Sequence, residues 1–313
     1  MSVANDPITV TTTAGDWIKA LDHDFSRITL YIQNKAGADI QQLHTQNPWQ
    51  LSFDGTDDFV DIDTIMANAA LLAAEAGSVK VIVRRDSGGA GDDTIWSLGD
   101  TNADTYVRLF MDAGNLLKAE LVSAGTTQWA LETDNAIATA VYKNIKLLHN
   151  KTEAKLFVNG ALVPQTFTTS TDKTAWVSDI PGVDNARIGC LNKDSAGDAD
   201  FFAGDIDSMQ IFANLQTQRE RVLVAHYDIT EGTLLSASLT TADISGNGYT
   251  GTLGVAAAAP AWEVRAAGLD LANNQGRFVT RREEVKSALW LFSTASGDVK
   301  LFATPSGVTE IES

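Results

Sequence analysis

Cysteine is almost missing from this chain. Cys190 stands alone among 313 residues, so no disulfide can form within it. It lies in the apolar phrase Ala186-Arg187-Ile188-Gly189-Cys190-Leu191, which predicts a buried small hydrophobe. A catalytic thiol would want a histidine and an electropositive setting, and neither is evident nearby. Basic residues are scarce too: 23 Lys and Arg against 40 Asp and Glu leave a formal charge of −17. That argues against the clustered cations a nucleic-acid surface needs and suits a well-solvated surface with an affinity for cations. No apolar run approaches the roughly 18 residues that span a bilayer, which excludes helical membrane insertion. The opening Met-Ser-Val-Ala-Asn-Asp-Pro has neither the basic start nor the apolar core of a secretory signal. With the missing disulfides, this predicts a chain made and folded in a reducing cytoplasm. The four histidines, His23, His44, His149 and His226, share no metal-like spacing. Gly88, Gly89 and Gly91 lead into a strand and not a helix, so no phosphate cradle is expected.

What is present is a succession of short, alternating segments. Ile8-Thr9-Val10-Thr11-Thr12-Thr13 is β-branched throughout. Arg27-Ile28-Thr29-Leu30-Tyr31-Ile32-Gln33, the turn 34–39 and Ile40 read as a hairpin. Strands follow at 78–84, 94–98, 105–111, 116–122, 128–132, 142–149 and 154–158. Their regular spacing with turn signals between them is that of a sandwich or barrel. One or two helical turns fit Leu71-Leu72-Ala73-Ala74-Glu75-Ala76-Gly77. Asn159-Gly160 predicts a type I′ hairpin turn, whose two central residues both need positive φ. Near the end, Ala288-Leu289-Trp290-Leu291-Phe292, a small-residue turn and Asp298-Val299-Lys300-Leu301-Phe302 predict a second apolar hairpin laid out like the first.

Several phrases carry a family resemblance. Phe53-Asp54-Gly55, two further acids at Asp57 and Asp58, then Phe59-Val60-Asp61-Ile62 resemble a strand and tight turn of laminin-G-like domains. Lys155-Leu156-Phe157-Val158-Asn159-Gly160 resembles their Leu-Tyr-Val-Asn-Gly hairpin. Phe202-Ala203-Gly204-Asp205-Ile206-Asp207-Ser208-Met209-Gln210-Ile211, with Leu215 and a helix-like stretch at 218–224, resembles their closing strand and helix. In that strand, period-two alternation turns Ile206, Ser208 and Gln210 one way and Asp205, Asp207, Met209 and Ile211 the other. Over roughly residues 49–227 the chain is identified as similar to the concanavalin-A-like lectin/glucanase superfamily. The resemblance implies an all-β, antiparallel jelly-roll β-sandwich with small β-hairpin extensions at both termini. A further phrase, Asp243-Ile244-Ser245-Gly246-Asn247-Gly248-Tyr249-Thr250-Gly251-Thr252-Leu253, resembles the family's opening, which normally precedes the Phe-Asp-Gly strand. Here it follows the closing strand. Either the sandwich is circularly permuted, with this segment supplying its first strands, or a distinct β module begins here. The expected organisation is therefore an assembly segment at 1–48, the sandwich at 49–227, strands at 228–277 that complete the sandwich or stand apart, and a second assembly segment at 278–313.

Retaining glucanases of this superfamily set Glu-x-Asp-x-(x)-Glu along one strand, with carboxyls about 5–5.5 Å apart. Only Asp205 and Asp207 stand in the comparable strand, Met209 holds the third position, and no Glu is present. No catalytic residue is assigned. The loop acids Asp194, Asp198 and Asp200 are candidate Ca²⁺ ligands by their oxygen spacing, with Asp57-Asp58 and Asp92-Asp93 behind them. No other cofactor is expected. Trp96, Trp129 and Trp176 are candidates for a sugar-stacking platform, set against the core packing usual for tryptophan in sheets. Leu30, Tyr31, Ile32, Leu289, Trp290 and Phe292 are candidates for an assembly surface. The reading is a non-enzymatic structural and binding protein of a bacteriophage virion, a capsid decoration protein or head fibre assembled in the host bacterial cytoplasm. Its expected partners are copies of itself, other virion proteins such as the major capsid protein, and surface glycans. A tail or fibre component, and a cellular carbohydrate-binding module or adhesin, are the alternatives.

Overall fold

Twelve consecutive backbone positions from Ala203 to Asn214 form the longest strand of the sandwich, and three neighbours pair with it. The structure is a computed structural model. It describes residues 8–12, 17–23, 27–35, 40–44, 49–86, 91–214, 221–228, 240–241, 243–264, 269–271, 276–282, 287–293 and 297–304, with side chains described only between residues 50 and 262. Two units result: Gln50–Glu263, and a second composed of Met1–Trp49 with Val264–Ser313.

The first unit is an antiparallel β-sandwich. One sheet has nine strands, in the order Gln165–Ser170, Thr126–Thr133, Leu117–Ser123, Ala103–Met111, Asp93–Asp100, Asn185–Ile188, Val60–Asp61, Gly251–Leu253 and Thr240–Thr241. The other runs Ala161–Leu162, Ala154–Val158, Lys143–His149, Ala76–Arg85, Ala203–Asn214, Trp49–Asp54 and Ala261–Val264, and Arg221–Asp228 pairs onto Ala203–Asn214. Strand alternation decides which side chains enter the core. Leu117, Ala119 and Leu121 are buried while Lys118 and Glu120 between them are not; Val79, Val81 and Val83 do the same across the core. Each fully buried aliphatic side chain contributes about 1.5–3 kcal/mol. The segment around Asp243–Leu253 returns to the sandwich: Gly251–Leu253 pairs with Val60–Asp61, and Ala261–Val264 lies beside Trp49–Asp54.

The hairpin at Asn159-Gly160 forms as its sequence dictates, with φ of 52° and 80° at the two residues. Three expectations are corrected. The stretch 218–224 was expected to be helix-like, but Arg221–Asp228 is a strand, with Tyr227 opposite Met209 and Ala225 opposite Ile211. Burial of Val224, Ala225 and Tyr227 in the core outweighs local propensity; residues 215–220 lie outside the described residues. Second, Ile206 was expected on the face opposite Met209 and Ile211, yet all three are buried in one core cluster. The register against Ala76–Arg85 slips between Ile206 and Ser208, so Asp207 is an extra residue and reverses the alternation.

The third correction concerns the chain ends. Neither expected hairpin forms. Arg27–Lys35 belongs to one four-stranded sheet and Ile40–His44 to another; Gly297–Thr304 and Ser287–Ser293 are likewise split between the two. The orders are Ile8–Thr12, Gly297–Thr304, Arg27–Lys35, Gly276–Arg282 in one sheet and Trp17–His23, Ser287–Ser293, Ile40–His44, Leu269–Leu271 in the other. Every described pairing joins an N-terminal strand to a C-terminal one. A two-stranded ribbon is marginal in water, whereas interleaving gives the central strands a hydrogen-bonded neighbour on each side.

Candidate functional site

The nine-stranded sheet turns charged side chains outward where Ala103–Met111, Leu117–Ser123 and Thr126–Thr133 run side by side. Register places Lys118 opposite both Phe110 and Glu132, and Glu120 opposite both Arg108 and Ala130. Directly opposed residues on one face lie close enough to interact, and here they form two ion-pair rows. Arg108 is 7% exposed. Its Nε donates to Glu120 at 2.7 Å, Nη1 to Asp200 at 2.7 Å and Nη2 to Asp92 at 3.0 Å. The guanidinium lies 3.8 Å from the centre of the Phe110 ring, a cation–π contact. The Lys118 ammonium is 2.9 Å from Asp112 and 2.9 Å from Glu132. Tyr106 OH donates to Glu120 at 2.9 Å.

These pairs hold their charge. Burial by itself would lower the Arg108 pKa, but Glu120 and Asp200 more than offset it and raise it. For Lys118, too, burial is opposed and outweighed by Asp112 and Glu132, and the pKa rises. The Asp112 carboxyl sits below its usual range: burial pushes it up, but Lys118 and the N–H groups of Leu116 and Gly114 prevail. Between the rows lies a groove of about 220 Å³ in which Ala130, a small residue among long ones, is flanked by Glu120, Glu132, Lys118 and Thr168. Donors and acceptors around one small apolar side chain can orient a small polar molecule.

Of the predicted site residues, only Asp92 and Asp200 reach this cluster, as partners of Arg108. Trp96, Trp129 and Trp176 are 1%, 0% and 2% exposed, so they offer no ring to a sugar. They occupy the core because a sandwich needs large apolar bodies between its sheets. Trp129 Nε1 donates to the Ala175 carbonyl at 2.8 Å, and His149 stacks 4.9 Å from Trp176. The loop acids do not converge either. Asp198 pairs with Arg187 at 3.3 Å, Asp200 serves Arg108, and Asp194 is exposed in a turn at φ 53°. Buried guanidinium groups claim Asp198 and Asp200 as counterions. Asp92 likewise serves Arg108, and Asp93 pairs with Arg85 at 2.6 Å.

Among the described residues, Asp54, Asp57 and Asp58 bring carboxylate oxygens within 4.8 Å of one another. Asp58 there accepts the Asp54 N–H at 2.8 Å and Asp54 accepts the Thr56 N–H at 2.7 Å, so the acids brace their own turn. Asp205 is closed off by Arg84 at 2.5 Å and Tyr142 at 3.1 Å, and Asp207 sits buried at the bulge. Leu30, Tyr31 and Ile32 lie on the strand Arg27–Lys35, and Leu289, Trp290 and Phe292 on Ser287–Ser293. Their side chains fall outside the described residues.

Sequence reasoning missed Arg108, Lys118, Glu120 and Glu132. The signal was there: Tyr106-x-Arg108-x-Phe110 and Lys118-x-Glu120 alternate on either side of the turn Asp112-Ala113-Gly114-Asn115. Pairing those strands as a hairpin would have set the charges opposite each other.

Comparison with known proteins places residues 54–220 in a laminin-G-type family described as the concanavalin A-like lectin/glucanases superfamily. No curated protein matches the chain. Among solved structures, the CBM40 of Ruminococcus gnavus IT-sialidase bound to alpha2,3 sialyllactose is 21% identical, with a TM-score of 0.46 over 55% of this chain and 95% of that one. The NanB sialidase from Streptococcus pneumoniae is 18% identical, with a TM-score of 0.43 over 56% and 27%. A native heptameric SAP-like pentraxin from Limulus polyphemus is 12% identical, with a TM-score of 0.34 over 81% and 95%.

Proposed function

We propose that this chain, which belongs to the concanavalin A-like lectin/glucanase superfamily, works by binding and assembly and not by bond cleavage. The observation that carries the reading is the groove over Ala130, where Glu120, Glu132 and Lys118 stand in fixed ion pairs around a sugar-sized notch. Already paired groups suit the recognition of hydroxyls, because binding then orders few side chains. Hydrolysis would instead want a raised-pKa acid and a free carboxylate flanking one bond. Asp205, the strand acid nearest that role by sequence, is taken up by Arg84.

The setting we propose is a bacteriophage virion. The protein would be a capsid decoration protein or head fibre, assembled in the host cytoplasm, self-associated and seated on the major capsid protein. A tail or fibre position is the alternative. Two features support this: a fold that needs no disulfide, and terminal strands that interleave into sheets of their own, an element suited to assembly contacts. The sandwich would then face surface glycans.

Light scattering after size exclusion, with and without Ca²⁺, together with sugar-binding titrations, tests the reading. A stable oligomer that binds sugars without turnover is expected. A sugar-binding monomer would move the protein to the carbohydrate-binding modules or adhesins. Turnover lost on Asp205→Asn would make it a hydrolase and overturn the proposal.

A further inference from the structure

We propose that the groove over Ala130 admits an uncharged sugar ring and turns away acidic ones; this rests on the glycan-binding reading above. Carboxylates outnumber cations along the groove: Asp92, Glu120 and Glu132 against Arg108 and Lys118. Asp112 and Asp200, the remaining partners of the two cations, add negative charge just behind them. A ligand carboxylate therefore meets a field of its own sign.

The cations are already engaged with carboxylates of the protein. A carboxylate is best held by a free guanidinium fork, and all three nitrogens of Arg108 already donate to Glu120, Asp200 and Asp92. Lys118 is shared between Asp112 and Glu132. To match the grip of a free guanidinium fork, an acidic sugar would have to displace Glu120, Asp200 or Asp92 from Arg108, or Asp112 or Glu132 from Lys118, a cost that selects against such ligands. An uncharged ring needs no such exchange: its hydroxyls donate to Glu120, Glu132 and the Thr168 oxygen, whose own O–H points to the Ala130 carbonyl at 3.5 Å, and its C–H face rests on the Ala130 methyl. The volume of about 220 Å³ fits one ring, below the ~300–1,000 Å³ of drug-sized sites.

The test uses matched pairs that differ only at C6: methyl glucoside against methyl glucuronide, and methyl galactoside against methyl galacturonide. Each is titrated into the full chain by saturation-transfer NMR and calorimetry at low and high salt. At least one neutral member should bind, with its acidic partner about tenfold weaker or worse at low salt, a gap that narrows as salt screens the field. Ala130→Trp, which fills the notch, should abolish binding at unchanged melting temperature. Thr168→Val, at an exposed position, should weaken it severalfold and serves if the tryptophan variant fails to fold. Equal or tighter binding of the acidic members would overturn the charge selection while leaving glycan binding intact. Binding that survives both variants would remove the groove as its location. Failure of every sugar to bind would sink this inference and the reading beneath it together.

Discussion

Asp205 and Arg84 form an ion pair inside the eight-stranded sheet through one carboxylate oxygen. Both Nε and Nη2 of the arginine reach the same carboxylate oxygen, Oδ2, at 2.5 Å. The Asp205 side chain is wholly buried while that of Arg84 is 26% exposed, and Arg84 holds Asp86 at 2.7 Å as well. Tyr142 also donates to Asp205 and reaches Gln50. This acid braces strand to strand. Asp205→Asn should therefore cost about 2–3 kcal/mol, below the ~3–5 typical of a fully buried pair because Arg84 keeps some water. Urea denaturation would show a lower midpoint at unchanged slope. A variant as stable as the parent would mean the pair does not brace the sheet.

Acid should weaken the protein through its buried histidines. Burial pulls His226 down to about 4, against Asp243, which pushes the other way. His149, stacked on Trp176, is also lowered by burial. A lowered folded pKa means the unfolded chain binds the extra proton first, so stability is full above about 6.5 and falls as pH drops toward 4. For His226 the loss is up to about 3 kcal/mol. Asp58, Asp63 and Asp93, raised chiefly by burial, pull in the opposite sense at lower pH. The histidine contribution is thus read as a difference. The melting curve of His226→Gln should flatten between pH 6.5 and 4 relative to the parent, and parallel curves would refute it.

The single thiol offers a probe of opening. Cys190 is fully buried, its Sγ lies 3.5 Å from an Asp198 oxygen, and burial drives its pKa far above the normal thiol range. Only the thiolate reacts. A disulfide reagent at neutral pH should label the native chain no faster than it opens, and label it at once in urea. Rapid stoichiometric labelling of the native protein would contradict the burial.

The terminal sheets make the two chain ends depend on each other. Removing residues 264–313 takes away every described hydrogen-bonded neighbour of Ile8–Thr12, Trp17–His23, Arg27–Lys35 and Ile40–His44. Hydrogen exchange should find amides of residues 27–35 protected in the full chain and exposed after the truncation. Those of Ala76–Arg85, paired within the sandwich by Lys143–His149 and Ala203–Asn214, should keep their protection. Continued protection of 27–35 would mean those strands find partners among themselves.

Residues alone determined whatever depends on a few neighbouring positions. Asn159-Gly160 makes its turn because its φ values are local, and the alternation of Leu117, Ala119 and Leu121 with Lys118 and Glu120 marks one buried face. Cys190 is buried, as its apolar phrase implies. Tertiary structure alone decided which strands meet. A period of two states that a strand has two faces but not which neighbour supplies its hydrogen bonds. Thus the terminal strands could be read as hairpins when they interleave across the length of the chain, and the slip at Asp207 could reverse the faces of its strand unannounced. The same limit hid the groove. Arg108, Lys118, Glu120 and Glu132 become a site only through cross-strand register, while the three tryptophans, conspicuous in the sequence, were drawn inward by the area they bury.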